Sequence, residues 1–214
     1  MEKIINGEIR SEAEWKKWRE SILTASDVVK CITPKKMEIG KQYINIARKI
    51  ALAQIGINDE LEESDFKSQA MERGNRLEQE YAKKLSENWE KEICLSTTRE
   101  GDDEMPIGAS FDFINRTYFE IIELKCPLSY NFLDEVESIS NEYIIQCKFQ
   151  LYVLSFLYEN SFTGNVVVYH DKIGEVKKEV LLSVSDCQLF DELISKINEE
   201  IKLTKNKIVG FIWN

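Results

Sequence analysis

The stretches 107–114 and 118–126 read as the two strands of a hairpin, and both carry charge where an apolar strand normally buries a side chain. Asp112 sits in the first; Glu123 and Lys125 sit in the second, inside Phe119-Glu120-Ile121-Ile122-Glu123-Leu124-Lys125-Cys126-Pro127. An unpaired ion in a buried strand costs on the order of several kcal/mol. A fold that keeps three charges there must pair them or bring them to an ion. Glu123 and Lys125 are two apart on a strand and so share a face. A two- or four-residue turn around 115–118 puts Asp112 on that face as well, whereas a three-residue turn sends it to the other side. The four-residue version sets Asp112 opposite Ile121 with Glu123 as its diagonal neighbour, roughly 7–8 Å away by Cα. Two carboxylates at that spacing suit one divalent cation, with the lysine beside them.

The triplet Glu-x-Lys carries little information alone, because it also occurs at Glu14-Trp15-Lys16 and Glu175-Val176-Lys177. The first falls on a helix, where i and i+2 diverge. The second follows a turn among polar residues and reads as a solvated hairpin edge. Only Glu123-Leu124-Lys125 has an apolar setting and an aspartate one strand earlier. The structural alternative for it is a salt-bridged strand pair.

Around this hairpin the 214 residues read as one domain with a sizeable core. Helices are expected at 11–21 (Ser11 and Glu14 forming a capping box), from Thr24 as N-cap with Asp27 at N3, at 40–55, and at 65–90 with Ser64 or Asp65 as cap. Strands at 92–98, 107–114 and 118–126 precede a long apolar helix over 138–159. A second hairpin pairs 165–170 with 176–184, and Ser185 with Gln188 caps a last helix to about 204. Helices around a central run of strands, with one helix embedded among them, predict an α/β fold with a mixed sheet.

Composition removes several classes. No apolar run is long enough to span a bilayer, and Met1-Glu2-Lys3-Ile4-Ile5-Asn6 has no signal-peptide pattern, so a cytoplasmic protein without membrane contact is expected. Five dispersed cysteines (31, 94, 126, 147 and 187) include no C-x-x-C pair and read as reduced thiols. A lone histidine, His170, leaves His-based triads and multi-His zinc sites with little support. The net charge of −10 opposes nonspecific coating of DNA, but its distribution is uneven. Residues 1–50 hold eleven Lys and Arg against seven Asp and Glu, a net of +4; the remainder carries −14. A nucleic-acid partner would be gripped locally, near the N-terminal segment.

Three further segments supply candidate groups. Gly74 interrupts a helix at a cost of about 1 kcal/mol against Ala, as if something approached closely there, and Glu78 lies one turn later on the same face. Tyr143, Gln146 and Gln150 form an i, i+3, i+7 stripe in the apolar helix; a buried Gln needs partners for its amide, which a carboxylate, a phosphate or an ordinary core group would supply. Arg19 closes the first helix and Ser26 lies in the first turn of the next, a ready anion site. Phosphodiester hydrolysis needs an ion at the phosphoryl oxygen and an activated water. Asp112 and Glu123, with the Leu124 carbonyl as a third donor, would hold Mg²⁺ or Mn²⁺, and Lys125 would hold or deprotonate the water.

These residues resemble the phage lambda exonuclease and YqaJ-type viral recombinase family of the PD-(D/E)xK nuclease superfamily. The resemblance runs in order through Trp15-Lys16-Lys17-Trp18-Arg19 with Leu23-Thr24-Ala25-Ser26-Asp27-Val28, then Arg73-Gly74-Asn75-Arg76-Leu77-Glu78. It continues through Gly108-Ala109-Ser110-Phe111-Asp112, Ile122-Glu123-Leu124-Lys125-Cys126-Pro127 and Tyr143-Ile144-Ile145-Gln146. It implies a restriction-endonuclease-like core with a mixed central sheet flanked by helices. It also implies one nuclease domain over 1–214, with 1–60 as a helical DNA-contacting part and 61–214 as catalytic core. The implied activity is a Mg²⁺-dependent 5′→3′ exonuclease acting on linear duplex DNA ends and leaving 3′ single strands for phage-type recombination.

By the same resemblance Asp112, Glu123 and Leu124 bind metal, Lys125 positions water, and Glu78 and Gln146 support them. Arg19, Ser26 and Ser110, with Thr24 and Trp15 close by, match a pocket for the 5′-phosphate. A homotrimeric ring and a single-strand annealing partner are implied too. Two positions depart from the pattern: Phe111 replaces the proline before the aspartate, and Lys148 stands where many relatives have a second glutamine. Competing readings are another PD-(D/E)xK endonuclease and a non-catalytic DNA-end-binding module. An iron–sulfur relative is excluded by the lack of a late cysteine group.

Overall fold

The computed structural model of the chain describes residues 12–57, 65–98 and 105–212. Its elements run α1 (Glu12–Glu20), β1 (Leu23–Thr24), α2 (Ala25–Cys31), β2 (Ile32–Thr33), β3 (Glu38–Ile39), α3 (Tyr43–Gln54) and α4 (Asp65–Ala82). They continue with β4 (Glu90–Thr98), β5 (Pro106–Asn115), β6 (Glu120–Lys125), α5 (Ser129–Glu137), α6 (Asn141–Leu157), β7 (Thr163–His170), β8 (Gly174–Val180) and α7 (Val184–Ile212). Six strands form a mixed sheet in the order β1-β5-β6-β7-β8, with β4 also on β5. The pairs β1–β5 and β6–β7 are parallel; β4–β5, β5–β6 and β7–β8 are antiparallel.

That arrangement leaves an opening in the middle of the sheet. A strand has two edges, and β4 occupies one edge of β5 from Pro106 to Ile114. The other edge is shared. β1 pairs only with Ile107 and Gly108, and β6 only with Phe113, Ile114 and Asn115. Between these short ladders lie Ala109 to Asp112, with no strand on that edge among the described residues.

Each face of the sheet has its own cover. The larger core gathers α2, α3, α6 and α7 with Phe111, Ile114, Ile121, Val166 and Val168. On the other face a smaller cluster joins Leu77 and Tyr81 of α4 to Phe113, Ile122, Leu124, Val167 and Tyr169. Alternation along β6 accounts for the division, since Ile121 and Ile122 go to opposite clusters. Gly108 is required at the junction of α1, β1 and β5. A Cβ there would stand 2.7 Å from Ile22 Cδ1, 2.8 Å from Trp18 Cζ2 and 3.0 Å from the Leu95 carbonyl oxygen.

Several boundaries differ from the sequence expectation. The β5–β6 turn has four residues, as expected, but spans 116–119 rather than 115–118, because Asn115 pairs with Glu120. The Asn115 side chain sets this frame, its Oδ1 accepting the backbone N–H groups of Thr117 at 3.0 Å and Tyr118 at 3.1 Å. Asn115 therefore belongs to the strand and caps the turn. The shift carries Asp112 from a place opposite Ile121 to one level with Glu123.

Helix α4 stops at Ala82 instead of near 90, where turn bonds from Lys84 to Tyr81 (2.9 Å) and Leu85 to Ala82 (3.2 Å) close it and return Trp89 to the smaller cluster. Helix α7 starts at Val184 and reaches Ile212, with Ser183 as its cap: Ser183 Oγ accepts the Asp186 N–H at 3.2 Å while Asp186 Oδ2 accepts the Ser183 N–H at 3.0 Å. The expected cap Ser185 lies inside the helix, and the strand before it ends at Val180. The expected caps Ser11 and Ser64 fall outside the described residues. Thr24 does cap α2, its Oγ1 accepting the Asp27 N–H at 3.4 Å.

Candidate active site

The opening on β5 gathers most of the candidate residues. Asp112 projects from β5 where the ladder to β6 has ended, and Oδ2 accepts the Leu124 backbone N–H at 2.7 Å. A carboxylate thus takes the place that a strand carbonyl would hold. Within a strand the N–H and C=O of one residue aim at the same edge, so the Leu124 carbonyl also lies on the Asp112 side.

Glu123 is 1 % exposed and both its oxygens are engaged. Oε1 accepts from Lys125 Nζ, and Oε2 accepts from the Gln150 side-chain amide. Lys125 Nζ also donates to Gln146 Oε1 at 3.3 Å and lies 5.4 Å from the centroid of the Tyr143 ring. The whole Tyr143, Gln146, Gln150 stripe of α6 therefore faces this group.

Charge here is unbalanced. Burial and then the neighbouring Glu123 push the Asp112 carboxyl well above its usual range, against the opposing effect of Lys125. Burial alone would make the Lys125 ammonium easier to deprotonate, but Glu123 and Asp112 outweigh it and hold the proton more tightly than usual. Glu78, half-buried on α4, is raised by burial and then by Glu92 and Glu123. Glu92 stands level with Asp112 on β4, drops out of the ladder and has φ 55. No sequence signal pointed to it. Arg73 anchors α4 beside the site by donating from Nη1 to the Cys126 carbonyl oxygen.

Hard oxygen donors with a surplus of negative charge fit a divalent cation. Among the described residues no three His, Cys, Asp or Glu side chains converge into a complete cage. Asp112, Glu123 and a main-chain carbonyl form a partial set, of the kind that suits Mg²⁺ keeping several waters.

The second group lies beside the first. Arg19 Nη2 donates to Ser26 Oγ at 2.6 Å, and the Arg19 guanidinium stacks 4.3 Å from the Trp15 ring centroid. Ser26 and Thr24 hydroxyls are 3.1 Å apart, while Thr24, almost wholly buried, donates to Asp27 Oδ2 at 2.8 Å. Thr24 is thus engaged in capping, and Arg19 and Ser26 are the outward pair. Ser110, on the same open edge of β5, hydrogen bonds the Cys94 thiol; burial raises that thiol's pKa, while Ser110 and Arg19 lower it. Cys94 is a neighbour that sequence reasoning missed, visible only once β4 pairs Cys94 with Ser110.

One expectation is corrected. Nothing lies within 4 Å of a Cβ placed on Gly74, so no described part of the chain makes the close approach its helical position suggested. Lys148 points away from Gln146 and pairs with Asp186 Oδ1 at 2.8 Å.

A mixed sheet opened at its middle strand, with two carboxylates and a lysine at the opening and helices on both faces, defines a PD-(D/E)xK-type α/β fold. The chain belongs to the YqaJ-like viral recombinase domain family, whose model matches residues 14–165. It is similar in structure to an alkaline exonuclease from Laribacter hongkongensis, with TM-score 0.68 and 17 % identity over 93 % of this chain and 99 % of that one. The complex of that exonuclease with dAMP gives TM-score 0.66 at 17 % identity, with the same shares of both chains covered. A phage-related exonuclease from Haemophilus somnus 129PT gives TM-score 0.56 at 11 % identity over 91 % of this chain and 99 % of that one. No curated protein matches the chain.

Proposed function

We propose that this chain is a metal-dependent deoxyribonuclease that degrades one strand of linear duplex DNA from 5′-phosphorylated ends, 5′ to 3′, leaving 3′ single strands. The observation that carries this reading is the meeting of Asp112, Glu123 and Lys125 at the β5 opening, with Arg19 reaching the same strand through Cys94 and Ser110. Cutting groups next to an anion pocket suit an enzyme that begins at an end.

Asp112, Glu123 and the Leu124 carbonyl would hold Mg²⁺, or Mn²⁺ in its place. The bound ion supplies polarisation of the phosphoryl oxygen and a water of lowered pKa. Glu123 and Asp112 hold the Lys125 proton more tightly than usual, and with those carboxylates on the ion Lys125 would hold or deprotonate the attacking water. Gln146 keeps the ammonium directed, and Glu78 adds negative charge behind the carboxylates. Arg19, Ser26 and Ser110 would receive the terminal phosphate. Residues 1–60 and 61–214 would act as the end-holding part and the cutting core of one domain. A homotrimeric ring working with a single-strand annealing protein completes the proposal, and light scattering of the purified chain tests the trimer.

The deciding assay incubates linear duplex with 5′-phosphate ends, the same duplex with 5′-hydroxyl ends, and a closed circle, each with Mg²⁺ or with EDTA. Loss of the phosphorylated linear DNA in Mg²⁺ alone, with 3′ tails as product, is expected. Cutting of the circle would identify an endonuclease, and binding without cutting would identify an end-binding module. Lys125→Ala should lower the rate by roughly 10²-fold or more while end binding persists.

A further inference from the structure

The ladder between β5 and β6 ends at Phe113 and Ile122, just before the residues that carry the site. Beyond that point a side chain from α6 bridges the two strands. Gln150 is 0 % exposed, and its Nε2 donates to the Ser110 carbonyl oxygen on β5 at 2.9 Å and to Glu123 Oε2 on β6. Both partners are pure acceptors, so the amide orientation is forced: the flipped form would set Oε1 against a carbonyl and a carboxylate. At the other end of the amide, Oε1 is buried without a hydrogen-bond partner among the described residues. A native core seldom tolerates an orphaned acceptor, and such a group calls for an explanation. An ordinary core would use Leu or Met at this depth. Glu would add a third buried carboxylate, and shorter donors fall short of both strands.

We propose that Gln150 is a positioning residue for the metal-binding carboxylate: it fixes Glu123 through Oε2 and ties it to the strand bearing Ser110 and Asp112, leaving Oε1 to exchange Lys125 for the cation. This inference rests on the nuclease reading. Lys125 contacts the same carboxylate but is partly exposed on a long flexible stem. Gln150 is enclosed by the core of α6, so it is the fixed side of the clamp and Lys125 is the movable one. A group that orients a ligand in this way typically changes metal affinity by 10- to 100-fold when removed.

The test uses the full chain and Mn²⁺ alone as probe, without DNA, read by calorimetry or by the electron paramagnetic resonance signal of free Mn²⁺. Gln150→Met keeps length and volume and removes the donors. Gln150→Ser, too short to reach Glu123, is the second variant should methionine fail to pack. Mn²⁺ binding at least tenfold weaker than in the parent is expected, with the Mg²⁺ concentration for half-maximal cutting raised by the same factor. Unchanged Mn²⁺ affinity in a folded variant, with any loss confined to thermal stability, would reduce Gln150 to a core residue and overturn the proposal. Absence of Mn²⁺ binding and of cutting in the parent would instead overturn the nuclease reading and this inference with it, so the two failures are distinct.

Discussion

Asp112 and Glu123 are carboxylates held close together, and among the described residues the ammonium set against both is that of Lys125. On the proposed function such a pair would be kept for the cation it holds, and would cost stability without it. Asp112→Asn should therefore stabilise the protein in EDTA by on the order of 1 kcal/mol, because the amide oxygen still accepts the Leu124 N–H while the repulsion with Glu123 disappears. The same variant should lose cutting and most of the stabilisation that Mg²⁺ gives the parent. Urea unfolding with and without Mg²⁺ measures both, and a destabilised variant in EDTA would mean that Lys125 already neutralises the pair. At this scale the sequence was a good guide to identity and a poor one to partners. Apolar flanks marked Asp112, Glu123 and Lys125 as anomalous, whereas Glu92 and Cys94 look like ordinary residues of a polar strand until the register of β4 sets them beside Asp112 and Ser110.

Elements obey local rules where their ends are local. Thr24 and Asp27 cap α2 as read, because both partners lie within four residues. The strand β1 is two residues long and exists only because β5 offers an edge to Leu23 and Thr24, a long-range condition with no local signature. The same holds for the β2–β3 pair and for α5, which sequence patterning left as connecting chain. Glycines separate the two kinds of constraint. Gly74 stands in open space on α4, so Gly74→Ala should stabilise the protein by about 0.5–1 kcal/mol through helix propensity alone. Gly108→Ala must displace Trp18, Ile22 or the Leu95 backbone, and should cost about 1–3 kcal/mol. Opposite shifts in melting temperature for the two alanines are the expected result.

The start of α7 allows a test by pH. Burial raises the Asp186 carboxyl, but hydrogen bonds from Lys148 and Ser183 outweigh it and hold the group below its usual range. A depressed carboxylate contributes stability above its unfolded pKa and loses it as pH falls through the folded one. Asp186→Asn should thus cost about 1–2 kcal/mol at pH 7, with the gap to the parent closing in acid. Equal gaps at all pH values would mean that packing, not charge, is lost.

For the whole molecule, a net charge of −10 and a DNA substrate are compatible only if the contacts are few and placed on one side. The positive surplus of +4 lies in residues 1–50, and Trp18 of α1, with Ile22 just after the helix, packs on Gly108 of β5 beside the opening. Lys17 is exposed on that helix. Lys178 is exposed on β8, three strands from β5 in the sheet order β5-β6-β7-β8. Both substitutions, Lys17→Gln and Lys178→Gln, change the net charge equally, so any general effect of charge on DNA affinity is the same for the two. A phosphate contact adds a local term, since each neutralised phosphate releases counterions and steepens the dependence of affinity on salt by about 0.9. Lys17→Gln should weaken binding to duplex ends regardless of sequence and lower the salt slope by about 1, while Lys178→Gln should leave the slope unchanged. Titrations between 50 and 200 mM salt, roughly the range in which counterion release dominates, resolve a difference of that size. Equal slopes for both variants would place the DNA path away from α1, and with it the terminal phosphate away from Arg19 and Ser26.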